Sequence, residues 1–144
     1  MGDACPRCGH DPGATVLARW NISVDREIRS LNAHRGNYGA QRWAYKADRE
    51  AWQQWFIVAR RNQDIPEATG KRRVTITRLI GYQQREFDHD NLVGGCKVVV
   101  DAMVRAGLLV SDKPADVEVT YRQERRPRTT RSGGALVALE ELVR

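Results

Sequence analysis

Asp88-His89-Asp90-Asn91 is the stretch of this chain whose residue types and spacing point most directly to chemistry. In extended backbone, residues two apart project from one face, so Asp88 and Asp90 would point together. Two adjacent carboxylates repel, and a divalent cation relieves the repulsion. Mg²⁺ prefers carboxylate oxygens and keeps waters that a substrate can displace. Asn91 fits the N-cap of a following helix, whose positive end draws phosphate. The competing reading is a plain strand-to-helix turn, where Asp and Asn are common. His89 falls on the other face and reads as structural or substrate-facing. Gly94-Gly95 follows in the first turn of that helix, where each glycine costs about 1 kcal/mol relative to alanine. Close approach of DNA or of another backbone accounts for such a cost. Lys97 is placed either to contact a scissile phosphate or to pair with Asp101, four residues on.

The elements that must hold these groups are legible in outline. Residues 1–20 read as an irregular extension and 21–144 as the folded domain. Residues 21–31 suggest a short strand. Over 41–63, Trp43, Ala47, Ala51, Trp55 and Ala59 recur every four residues, which predicts a helix packed by that stripe onto a sheet; base stacking by an exposed tryptophan is the alternative. Its other face carries Arg42, Lys46, Arg49, Arg60 and Arg61, which either track phosphates or are simply solvated. Residues 71–81 alternate with dense β-branching and read as a strand. The second helix runs to Ala106, with Gly107 as its stop. Leu108-Leu109-Val110 is a short buried run, 115–123 is another strand, and the arginines of 122–131 suit a loop facing a phosphate backbone. The stretch 135–143 fits strand or helix. The expected architecture is α+β: a single domain with a mixed β-sheet and two main helices.

The 144 residues suit one domain, and 24 Lys plus Arg against 18 Asp plus Glu give a net charge of +6. That balance favours an acidic partner, nucleic acid first among them; a merely soluble basic surface is the alternative. No apolar run approaches the ~20 residues of a membrane span, and the start lacks the apolar stretch of a signal peptide. A cytoplasmic protein without a membrane partner is expected. The odd count of three cysteines agrees with a reducing compartment.

Asp88-His89-Asp90-Asn91-Leu92, Gly94-Gly95, Lys97, Asp101-Ala102, Arg105-Ala106-Gly107-Leu108-Leu109 and Asp112 together resemble the RusA family of phage and prophage Holliday junction resolvases. The resemblance covers about residues 72–123 and is weaker over Ser30-Leu31-Asn32 and the Trp-rich helix. It implies a homodimer that binds four-way or otherwise branched DNA in a bacterial host cell. Such a protein makes paired nicks with Mg²⁺, or with Mn²⁺ in its place, and needs no small-molecule cofactor. It implies metal-binding, catalytic carboxylates at Asp88, Asp90 and Asp112, an essential catalytic lysine at Lys97, and a strand at 135–142. DNA contacts would fall to Phe87, Asn91, Gly94, Gly95, Lys97, Arg125, Arg126 and Arg128; for Phe87 a wedge at the branch point and a core role are both open. Two departures stand out. The family's acidic pair is Ser111-Asp112 here, and the spacing from Asn91 to Lys97 is longer than in the shortest members.

Cys5-Pro6-Arg7-Cys8-Gly9-His10 is similar to half of a zinc knuckle. A closed Zn²⁺ site needs four ligands and only Cys5, Cys8 and His10 are at hand, so a metal-free terminus is expected. The rival to an endonuclease is a non-catalytic module binding branched DNA or single-stranded nucleic acid, or a family member that has lost activity. The binding module leaves the carboxylates without a role, since carboxylates repel phosphate unless a cation bridges them; Ser111 is the hint toward lost activity.

Overall fold

The computed structural model describes residues 5–7, 10, 12–30 and 38–143, and the side chains of all of these except 38–41. The order is β1 (Thr15–Val24), α1 (Tyr38–Asn62), β2 (Arg72–Ile80), α2 (His89–Arg105), β3 (Val117–Arg125) and β4 (Gly134–Val143). The four strands form one sheet in the order β1-β4-β2-β3. β2 and β3 run parallel, joined through α2, while β4 lies antiparallel to both β1 and β2. The expected mixed sheet with two helices is therefore present. No helix among the described residues is long and apolar enough to cross a membrane.

Two element assignments differ from the sequence pattern. The first strand begins at Thr15 and ends at Val24, so it starts inside the stretch expected to be irregular. The partner explains this: Trp20, Ile22 and Val24 align with Leu139, Val137 and Ala135 of β4. The second difference is the register of α1. Its fully buried positions are Asp48, Trp52 and Phe56, not the expected Trp43 stripe. Trp43 is 72% exposed and Trp52 0%. Both stripes repeat every four residues. A buried aspartate disguised the true one, and Arg26 pairs with it at 2.7 and 3.0 Å. Trp52 stacks on Phe56 with ring centres 6.1 Å apart.

The core face of the sheet comprises Val74, Ile76, Val117, Ala135, Val137 and Leu139, and shares one apolar cluster with Trp52, Phe56, Val99 and Met103 of the helices. Arg72 interrupts it. Fully buried, it donates to the carbonyls of Leu108 at 3.0 Å and Pro66 at 2.8 Å. Its guanidinium lies over the Trp20 ring, 5.1 Å from the centre. By holding Leu108, Arg72 fixes the turn that leads to Asp112.

At the N-terminal end, the Cys5 amide donates to the His10 carbonyl at 2.8 Å, and the His10 ring bonds Glu118 at 3.1 Å. Cys8, Leu31 and Asn32 lie outside the described residues.

Candidate active site

α2 begins where β2 has delivered the chain across the sheet and a short connection has turned it back. Asp88 is extended, with φ −66° and ψ 167°, and is itself the N-cap. Its carboxylate accepts from the Asn91 amide at 2.8 Å and from the Asn91 side-chain amide at 2.9 Å. This corrects the expectation that Asn91 caps the helix. It also corrects the extended geometry expected for the aspartate pair, because the chain is already helical at Asp90. A carboxylate at an N-cap satisfies a donor that the helix cannot, so the helix starts ahead of the Asn91 position that the sequence suggested.

Helical spacing then sets the site. Asp90, Gly94, Lys97 and Asp101 are separated by four, three and four residues and form one stripe of α2. Gly94, Lys97 and Asp101 line a cleft of ≈ 310 Å³ whose opposite wall is Asp112 together with Val119 and Tyr121 of β3. Asp101 and Asp112 also line a second cleft, of ≈ 360 Å³, with Arg49 and Arg105. The structure thus brings Lys97 and Asp112 together as expected, and adds Asp101 to them. Lys97 is exposed, free to reach a substrate. Asp101 does not serve as its ion-pair partner; instead the Tyr45 hydroxyl of α1 donates to Asp101. Burial and this hydrogen bond push the Tyr45 phenol well above its ordinary range, so it stays a donor.

Among the described residues, no three or more His, Cys, Asp or Glu side chains stand close enough to hold a metal. The expected set of Asp88, Asp90 and Asp112 is therefore not drawn together. What the cleft offers is the pair Asp101 and Asp112. Their hard oxygens in an open cleft fit Mg²⁺, which takes one or two protein carboxylates and fills its shell with water and substrate phosphate.

The two glycines play different parts. A Cβ on Gly95 would meet the Arg29 carbonyl oxygen at 2.0 Å, so this glycine serves backbone approach within the chain rather than contact with DNA. Gly94 lines the cleft. Ser111, which stands where the resemblance expects an acid, donates to Asp116 at 2.6 Å and accepts from the Lys113 amide at 3.1 Å. Its hydroxyl shapes the turn that presents Asp112.

Phe87 is half-buried and held from three sides. Gln123 accepts from its amide at 2.9 Å and donates to its carbonyl at 2.8 Å, while Arg78 sits 3.5 Å from its ring centre. Of its two open roles the packing one is realised. Arg125 donates to the Gln84 carbonyl at 3.1 Å and so ties β3 to the β2–α2 connection, while Arg126 donates to the Ser132 carbonyl at 3.1 Å within the β3–β4 connection; Arg128 is exposed.

Tyr45, beside the cleft, is a residue that the sequence reading passed over. Arg49 is legible there only as one of several basic residues on a helix face, and Tyr121 only as part of a strand. A signal existed for the first two: Tyr45 and Arg49 are four apart on α1 and share a face. No family model matches this chain, and no curated protein matches it.

Proposed function

We propose that the chain is a structure-specific DNA endonuclease of the RusA kind, dependent on Mg²⁺ and acting on four-way or branched DNA. One observation carries the reading. Lys97 and two carboxylates, Asp101 and Asp112, converge on an open cleft in a protein with a net charge of +6. Carboxylates facing a polyanion are unfavourable unless a cation stands between them, and a lysine beside them suits the charge on a phosphate.

Asp112 and Asp101 are the residues that would hold the metal, and Asp90 extends the same stripe of α2 toward the substrate. When bound, Mg²⁺ supplies Lewis-acid polarisation of the phosphate and a more acidic water. Lys97 neutralises the non-bridging oxygens of the scissile phosphate. Tyr45 keeps Asp101 oriented, and the Ser111 turn keeps Asp112 facing the cleft. Paired nicks across a junction need two such clefts, which a homodimer provides. Recognition rests on branch shape, since phosphate contacts carry no base information.

The test is a nicking assay on a labelled four-way junction beside a linear duplex, in Mg²⁺ and in EDTA. Symmetric nicks on the junction, lost in EDTA and in Asp112→Asn and Lys97→Ala, are expected. Binding without cleavage in every divalent metal would instead make the chain a non-catalytic binding module. Cleavage at the wild-type rate by Asp112→Asn would sink the site assignment.

A further inference from the structure

The cleft does not end at the carboxylates. Its lining shares Asp101 and Asp112 with the second cleft, and the second shares Arg105 with a third, of ≈ 630 Å³, which holds Arg60, Arg61 and Asp64. The three follow one another as a trough: the first lies between α2 and β3, and the second and third run along the α1–α2 seam toward the C-terminal ends of both helices. Along α2, the eight steps from Lys97 to Arg105 rise about 12 Å at ~1.5 Å each. A strand in duplex geometry advances ~3.4 Å per nucleotide, so the trough matches roughly three to four nucleotides.

The charges are arranged for that occupant. Lys97 stands on one side of the acidic pair, and Arg49 and Arg105 on the other, with Arg61 beyond. Arg60 is a structural residue. It donates to the carbonyls of Ile65 at 3.2 Å and Ala106 at 3.3 Å, closing the C-terminal end of α2. Arg61 and Arg105 are exposed, and their side chains make no hydrogen bond or ion pair with the described residues. Arg49 keeps a buried Nε without a hydrogen-bond partner. The acidic side chains on the path are Asp101 and Asp112 at the reaction centre and Asp64 at the far end. A small anion would meet both signs of charge within one cleft. A chain of phosphates can place its scissile group at Lys97 and its neighbours against the arginines.

We infer that this trough is the track of one DNA strand leaving the reaction centre, with Arg49, Arg105 and Arg61 as its phosphate contacts. The inference rests on the endonuclease reading for the identity of the strand, and can be tested apart from it. Arg61→Gln/Arg105→Gln changes two exposed residues outside the reaction centre. The control, Arg7→Gln/Arg19→Gln, removes the same charge from exposed positions before and within β1. Strand alternation puts Arg19 on the sheet face opposite its chain neighbour Trp20, away from the helices, and the bond from His10 to Glu118 holds the N-terminal segment against that same face.

Binding of the full-length protein to a labelled four-way junction is measured by anisotropy in EDTA across a salt series. Nicking by the same samples is measured in Mg²⁺. The trough variant is expected to bind at least tenfold more weakly at moderate salt. Its log Kd–log salt slope should be shallower by about one for each phosphate no longer neutralised. The control should stay within twofold of the wild type. Equal binding and slope for the trough variant and the wild type, or equal weakening in the control, would overturn the track. Trough-dependent binding by a wild-type protein that never nicks would remove the endonuclease reading and leave the track standing. Nicking that persists while binding ignores the trough would do the reverse.

Discussion

Replacing Gly95 by alanine sets two effects of opposite sign against each other. Helix propensity favours alanine in the body of α2 by up to about 1 kcal/mol. Against this, the new methyl carbon would stand 2.0 Å from the Arg29 carbonyl oxygen and 3.1 Å from its carbon, well inside an ordinary contact of ~3.5 Å. The obstacle is backbone and cannot rotate away, so the segment at Arg29 must retreat by roughly 1.5 Å to restore that separation. Its neighbour Ile28 is only 3% exposed and would be drawn from the core with it. Overpacking costs about 1–3 kcal/mol, and partial loss of an isoleucine's burial takes a share of a further ~1.5–3 kcal/mol. The net expectation is a loss near ~2 kcal/mol, or roughly 4–8 °C in Tm for a domain of this size. Thermal and urea unfolding followed by tryptophan fluorescence reads it, since Trp52 is buried in the core. Gly70→Ala is the comparison: a Cβ there meets nothing within 4 Å, and the change should be neutral or stabilise by up to ~1 kcal/mol. A Gly95→Ala protein as stable as the wild type would refute the close-approach argument and return Gly95 to the residues available for DNA contact.

Asp88→Ala should cost about 1 kcal/mol through the lost cap, while Asp88→Ser should hold stability to within a few tenths; equal losses in both would show that the cap is not what Asp88 contributes to folding. Nicking by Asp88→Ser then reads whether the carboxylate has a second duty. Stability should also fall in alkali. Burial pushes the Cys96 thiol up from 9.0 to about 12, and burial followed by the Asp101 hydrogen bond raises the Tyr45 phenol above 10.0. Both groups hold their protons more tightly folded than unfolded, so their contribution is complete below pH ~9 and is lost as pH climbs from there toward the folded values. Urea midpoints between roughly pH 8 and 11 should decline, with a shallower decline in Cys96→Ala; a flat wild-type profile would contradict the burial argument.

Local pattern carried much of this protein. The alternation of 71–81, the stop at Gly107 and the apolar stripe of α2 each express a period or a backbone preference that acts within a few residues, so β2 and α2 fall close to where the sequence places them. Lys97 was also legible, through its type and its place relative to the Asp-x-Asp-Asn stretch, whereas Asp112 was marked only by the family resemblance.

Tertiary structure decided what short range cannot. The pattern of α1 admits two stripes, each repeating every four residues. Only packing selects Trp52 and Phe56, because Arg26, from a distant segment, makes burial of Asp48 tolerable. β1 begins at Thr15 because β4, at the other end of the chain, supplies its ladder. The role of Gly95 turned on the position of the Arg29 carbonyl. Asp112 shares its clefts with Asp101, held by Tyr45, because α1, α2 and the turn after α2 meet there. Charge, cap preference and periodicity are properties of neighbouring residues; which carboxylates share a cleft is a property of the packing of helices on a sheet.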